Sequence, residues 1–109
     1  MTLTEAQQMV NQWIHEKGVR YFDELTNFTI LVEEVGELAR IFSRQYGEQS
    51  AKSKESSLNL EDEMGDVLWI LIALANQTGI DLEKALKASI DKKSNRDSNR
   101  HKNNPKLRT

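Results

Sequence analysis

A chain of 109 residues, 38% hydrophobic and 29% charged, has the size of one small domain near the limit at which a lone core is stable, so oligomerisation would help it. It contains no cysteine, which excludes a disulfide framework and a thiolate metal site. The net charge of −2 hides a reversal: residues 1–91 carry 16 acidic against 8 basic side chains, and residues 92–109 carry 7 basic against 1 acidic.

The first helix is expected from Thr4 as N-cap to about Lys17, with Ala6, Met9, Val10, Trp13 and Ile14 on its apolar face and Gly18 ending it. A tryptophan on that narrow face reads as core, with base stacking as the functional alternative for Trp13. Residues 18–23 turn the chain, and Tyr21 and Phe22 pack over either the core or a pocket mouth. Asp23 caps a long second helix that should stop at Gly47 through a left-handed C-cap. Residues 47–58 are serine-rich and polar and read as a mobile connection. A third helix is expected from Asn59 to Thr78, stopped by Gly79; its segment Val67 to Ala75 is apolar nearly all round and asks for cover on several sides. That run is too short to span a bilayer, and with no N-terminal apolar signal region the expectation is a soluble, cytoplasmic protein. Asp81 caps a fourth helix with Leu82, Ala85, Leu86, Ser89 and Ile90 facing inward, followed by Lys92, Lys93 and Arg96. Residues 1–96 therefore read as a single domain, and residues 97–109 as a fraying, flexible basic tail. No strand-like alternation competes, so the fold class is all-α, a four-helix bundle.

One acidic device occurs twice. Glu33-Glu34-Val35-Gly36-Glu37-Leu38 returns 29 residues later as Asp62-Glu63-Met64-Gly65-Asp66-Val67. Side chains at i and i+3 share a helix face, so Glu34 points with Glu37, and Glu63 with Asp66. At about 100° per residue, Phe28, Leu31, Val35, Leu38 and Phe42 form one apolar stripe, while Ile30, Glu34, Glu37 and Ile41 form a second beside it. In the third helix Leu60, Met64, Val67, Leu71 and Leu74 form a seam, with Glu63, Asp66, Ile70 and Ala73 alongside. Neither acid pair lies on an obviously solvated face. Carboxylates near a core need compensation, and hard oxygen donors suit Mg²⁺, Mn²⁺ or Ca²⁺ rather than zinc. Each interior glycine costs about 1 kcal/mol relative to alanine, which close approach of the two helix backbones at Gly36 and Gly65 would explain.

These motifs resemble the paired EExxE and ExxD motifs of the MazG-like nucleotide pyrophosphohydrolases, in the all-α NTP pyrophosphatase superfamily. The resemblance runs from the Trp13 helix through Lys92 to Arg96. It implies Mg²⁺-dependent hydrolysis of a nucleoside triphosphate between the α and β phosphorus, with Mn²⁺ as a substitute, in nucleotide-pool house-cleaning. Glu34, Glu37, Glu63 and Asp66 match the metal-ligand positions. Glu33 matches the first acid of the motif, where it orients water or a second ion or is merely solvated. Lys92 and Arg96 match basic positions that contact phosphates; Asn95 and Asp97 are weaker nucleotide contacts. His101 stands where relatives often carry a tryptophan.

The resemblance also implies a homodimer or homotetramer. Phosphate contact by the start of the basic stretch is placed ahead of nucleic-acid binding, and no membrane partner is expected. The alternatives are a phosphoribosyl-ATP or dUTP-type enzyme of the same superfamily, or a helical module holding a structural ion.

Overall fold

The computed structural model describes residues 1–50 and 59–108. They form α1 (Leu3–Lys17), α2 (Glu24–Tyr46), α3 (Leu60–Thr78) and α4 (Leu82–Lys102), followed by a short 3₁₀ turn, Pro105–Leu107. No strand occurs among the described residues. From residue 51 to residue 58, the expected mobile connection lies outside them.

Three of the four helix starts are as expected, with Asp23, Asn59 and Asp81 each accepting a backbone N–H of the first turn. The first is not. Thr2, rather than Thr4, caps α1: its Oγ1 accepts from Glu5 N while the Glu5 carboxylate accepts from Thr2 N, both at 3.0 Å. A charged glutamate completes this capping box and favours the positive end of the helix, leaving the Thr4 hydroxyl to donate to Glu83 of α4 at 3.3 Å.

The helix ends also divide. Gly79 is left-handed, at φ 72°, as a C-cap glycine should be. Gly47 corrects the expectation: its φ of −96° and ψ of −166° are extended, and what selects glycine there is space, since a Cβ would stand 2.6 Å from the Ser43 carbonyl oxygen.

The core gathers Val10 and Ile14 of α1 with Ile70, Ile72 and Ala73 of α3, and Tyr21, Ile30, Leu31 and Leu82 pack around it. Helix α3 is central, lying between α1 and α2. Because a helix turned to one neighbour buries only one stripe, the acid-bearing stripes face inward. Ile41, Ile70 and Ala73 are buried, and Glu34 and Glu63 are partly so. The other stripes are left open, with Phe28, Val35, Met64 and Leu71 each between 43% and 51% exposed.

Close backbone approach at the two interior glycines does not occur within one chain: a Cβ added at Gly36 or Gly65 meets nothing within 4 Å.

Helix α4 also departs from the expected bundle. It packs chiefly on α1, secured where Gln7 accepts from Leu82 N at 3.0 Å and donates to the Ile80 carbonyl at 2.8 Å. Leu86 and Ile90, expected to face inward, are 52% and 54% exposed. The helix does not fray after Arg96 but continues to Lys102; Asp97 is buried and accepts from Arg96 and Arg100 at 3.2 to 3.4 Å. The radius of gyration is 17.8 Å, against about 13 Å for a compact domain of this length.

Gly79 is the point where local geometry is most demanding. Gly79→Ala should lower stability by about 1–2 kcal/mol, the cost of a left-handed Cβ, read as a lower urea midpoint with an unchanged slope.

Candidate active site

The packing of α2 on α3 brings three carboxylates together. Oxygens of Glu34, Glu63 and Asp66 lie within 4.8 Å of one another. Asp66 is exposed and the other two are half-buried. One Glu63 oxygen, Oε1, is buried without a hydrogen-bond partner, the only such side-chain atom among the described residues. A hydrogen bond with Glu34 is the main cause that pushes the Glu63 carboxyl up to about 7; burial and the charges of Glu34, Asp66 and Glu37 push it further the same way. The protonated form of Glu63 is thereby favoured.

This donor set fits a hard divalent ion. It offers oxygen only, gathers three carboxyl groups within 4.8 Å of one another, and keeps one buried oxygen unsatisfied. The fourth expected ligand, Glu37, is not in the set. It pairs with Arg40 one turn on, at 2.5 Å, and is about half exposed, yet it remains near enough for its charge to act on Glu63. Glu33 is exposed and outside the cluster.

Beside the acids opens a cavity of about 510 Å³, with Glu34 and Asp66 in its wall. Trp13 lines it and meets Trp69 edge to face with ring centroids 5.3 Å apart. Tyr21, Phe22 and Arg20 come from the turn after α1, and Asn27 and Ile30 from α2. The turn is held by a left-handed Val19, at φ 72°, and by the Phe22 carbonyl, which accepts from the side-chain amides of both Asn27 and Gln77.

Lys92, Asn95 and Arg96 are exposed on α4 and are not among the residues lining the cavity. Arg96 is engaged by Asp97, whose carboxyl is held below its usual range first by that hydrogen bond and then by the charges of Arg96, Arg100 and His101. Residues not singled out from the sequence are Asn27, Arg20 and Trp69 in the cavity wall and Arg40 on Glu37. Two of them carried a readable signal: Asn27 is two helical turns before Glu34 and Trp69 is one turn after Asp66, on the acids' own faces.

The raised Glu63 carboxyl has a consequence for stability. The folded metal-free protein binds a proton that the unfolded chain, with the ordinary value of 4.5, releases. Stability should therefore fall as pH rises from about 4.5 to about 7 and level off above. Glu5, Asp23 and Asp97 are shifted downward and act in the opposite sense in more acidic solution, outside this window. Melting temperatures in chelator across the window should show the decline, and Glu63→Gln should flatten it.

Comparison with known proteins bears on this site. The model of the MazG nucleotide pyrophosphohydrolase domain matches residues 22–101. The Bacillus subtilis protein YpjD is 38% identical over 99 residues, spanning 91% of this chain and 89% of its own. Its crystal structure superposes with a TM-score of 0.78 at 36% identity, covering 89% of this chain and 97% of that one. The crystal structure of a Bacillus-conserved MazG protein, a nucleotide pyrophosphohydrolase, superposes with a TM-score of 0.71 at 36% identity over 84% and 88% of the two chains. dCTP pyrophosphatase 1 of Rattus norvegicus is 33% identical over 83% of this chain, which spans only 55% of that protein. With the family's domain covering both acidic motifs and the intervening connection, the chain belongs to the MazG nucleotide pyrophosphohydrolase family and is a pyrophosphohydrolase.

Proposed function

We propose that this chain hydrolyses a nucleoside triphosphate between its α and β phosphorus, giving the monophosphate and pyrophosphate, with Mg²⁺ or Mn²⁺ held by Glu34, Glu63 and Asp66. The observation that carries the reading is the three-carboxylate cluster with its unsatisfied Glu63 oxygen, two of whose members, Glu34 and Asp66, stand in the wall of an aromatic cavity. A divalent ion at such a site neutralises phosphate charge and makes bound water more acidic.

The chain's own residues divide the remaining work. Glu63, whose carboxyl is raised to about 7, would give up its proton to act as a ligand. Glu37, now paired with Arg40, would be available as a further ligand. Trp13 and Trp69 supply apolar faces for a base, the common arrangement for holding an unpaired nucleobase. Glu33, exposed, acts through water or stays solvated. No helix among the described residues is long and apolar enough to cross a membrane.

The triphosphate also needs cations, and within one chain the side chain that lines the cavity with a positive charge is Arg20. We infer that the enzyme is a homodimer or a dimer of dimers in which Lys92 and Arg96, with Asn95 between them, reach the phosphates at a neighbouring copy's site. The uncovered stripe of Phe28, Val35, Met64 and Leu71 and the extended shape support this. Light scattering should return a multiple of 12.5 kDa; a stable monomer at micromolar concentration contradicts it.

Pyrophosphate release tests the whole reading. It should require Mg²⁺, stop with chelator, and fall by about 100-fold in Glu63→Gln, the scale of losing one charge-stabilising group. Arg96→Ala should lower kcat/KM about tenfold. If α4 serves a neighbour, mixing Glu63→Gln subunits with Arg96→Ala subunits should recover part of the lost rate. Full turnover by Glu63→Gln removes the metal-site assignment.

A further inference from the structure

The one buried neutral polar side chain in the cavity wall is Asn27, only 3% exposed. Its amide is oriented by a relay whose direction is fixed at one end. The Phe22 carbonyl can only accept. It takes a hydrogen bond from Gln77 Nε2, which turns the Gln77 oxygen, Oε1, away toward Asn27. That oxygen accepts from Asn27 Nδ2 at 2.7 Å, and the Phe22 carbonyl takes a second, longer bond from the same Nδ2 at 3.4 Å. Turning the Asn27 amide over would set its oxygen against the Gln77 oxygen and the Phe22 carbonyl, three acceptors with no proton between them. An unmade bond of that kind in a buried place costs more than a made one gains. The amino group of Asn27 is therefore spent, and what the residue has left to offer is its carbonyl oxygen.

The position of Asn27 gives that oxygen a purpose. It lies seven residues before Glu34, two turns along the same face of α2, so one helix carries the acids at one level and an oriented acceptor at another. The cavity between holds Trp13, Trp69 and Ile30. A base laid against the exposed aromatic surface of the Trp13–Trp69 pair, with its phosphates toward Glu34 and Asp66, brings its far edge to the level of Asn27.

We propose that Asn27, held by Gln77, is the specificity-determining residue for the base, and that it selects nucleotides whose base presents an exocyclic amino group, as cytosine and adenine do, over the carbonyl-bearing counterparts of the same ring size. An amino group donates to the fixed oxygen. A carbonyl at the same place confronts it, and the relay prevents the amide from turning to accommodate it. Sites with an oriented buried partner discriminate far more strongly than apolar pockets do.

The inference rests on the pyrophosphohydrolase reading for its assay, and the test keeps the two apart. With Mg²⁺, kcat/KM is compared for dCTP against dUTP and for dATP against dITP, pairs that exchange an amino group for a carbonyl on one ring system. The wild type should favour the amino member of each pair by about tenfold or more. Asn27→Leu, close in size, should bring both ratios toward one. Gln77→Leu, which keeps Asn27 but frees its amide to turn, should shrink them as well.

A wild-type ratio near one, or one favouring the carbonyl bases, overturns the proposal. So does an unchanged ratio in Asn27→Leu with only a lower melting temperature, which would make the relay a staple between Phe22 and α3. Should Asn27→Leu fail to fold, the wild-type ratios and Gln77→Leu decide. If no triphosphate of either kind is hydrolysed, the pyrophosphohydrolase reading fails. Binding of deoxycytidine against deoxyuridine, followed through the indole N–H signals of Trp13 and Trp69, then still reports whether Asn27 prefers the amino base.

Discussion

Three carboxylates held within reach of one another, with the Glu63 carboxyl pushed up to about 7 by its neighbours, set the terms for the rest of this molecule. Like charges at such distances repel, and partial burial removes the water that would screen them. The cluster persists because the apolar residues flanking each acid, Ile30 and Ile41 on α2 and Ile70 and Ala73 on α3, are themselves buried or partly buried where the two helices meet. Hydrophobic packing thus works against electrostatics, and the unsatisfied Glu63 oxygen shows where the conflict is left open. Functional sites are where such local conflicts are expected to survive.

The same packing choice explains the open surfaces. With the acid-bearing stripe of α2 turned to α3, no other element among the described residues covers Phe28, Val35 and Phe42, which remain 40% to 51% exposed. Helix α4 does not fill that role, being tied through Gln7 to the α1 side. A cavity bounded by α1, the 18–22 turn, α2 and α3 is thereby left beside the acids rather than closed off. Stability and function are linked through this arrangement: the faces that a second copy would cover and the cleft a nucleotide would enter are left by one set of helix orientations.

Much of this was legible in the sequence, for identifiable reasons. Helix starts marked by Asp23, Asn59 and Asp81 were readable because their side-chain oxygens act on amides within three residues, a local interaction. The convergence of Glu34 with Glu63 and Asp66 was readable because the duplicated spacing fixes each pair on one face. What escaped depends on partners distant in sequence or on space. Asn27 owes its significance to Gln77, fifty positions away, and Gly47 to the room beside Ser43. The path of α4 was misjudged because its apolar stripe reads as inward-facing whether the cover comes from its own chain or another. Glu37 was placed with Glu34 by spacing and with the other acids by the family resemblance, and neither shows that Arg40, at i+3, pairs with it.

If the carboxylate cluster holds a divalent ion, as proposed, the ion must displace the proton that Glu63 retains near neutral pH. Titration calorimetry with Mg²⁺ at pH 7, repeated in buffers of different ionisation enthalpy, counts the protons expelled on binding. With the Glu63 carboxyl raised to about 7, wild-type protein should release a fraction of a proton per chain, more at pH 6 and little at pH 8. Glu63→Gln should bind more weakly with no such release. Tight binding without proton release, or identical release by Glu63→Gln, would contradict the account.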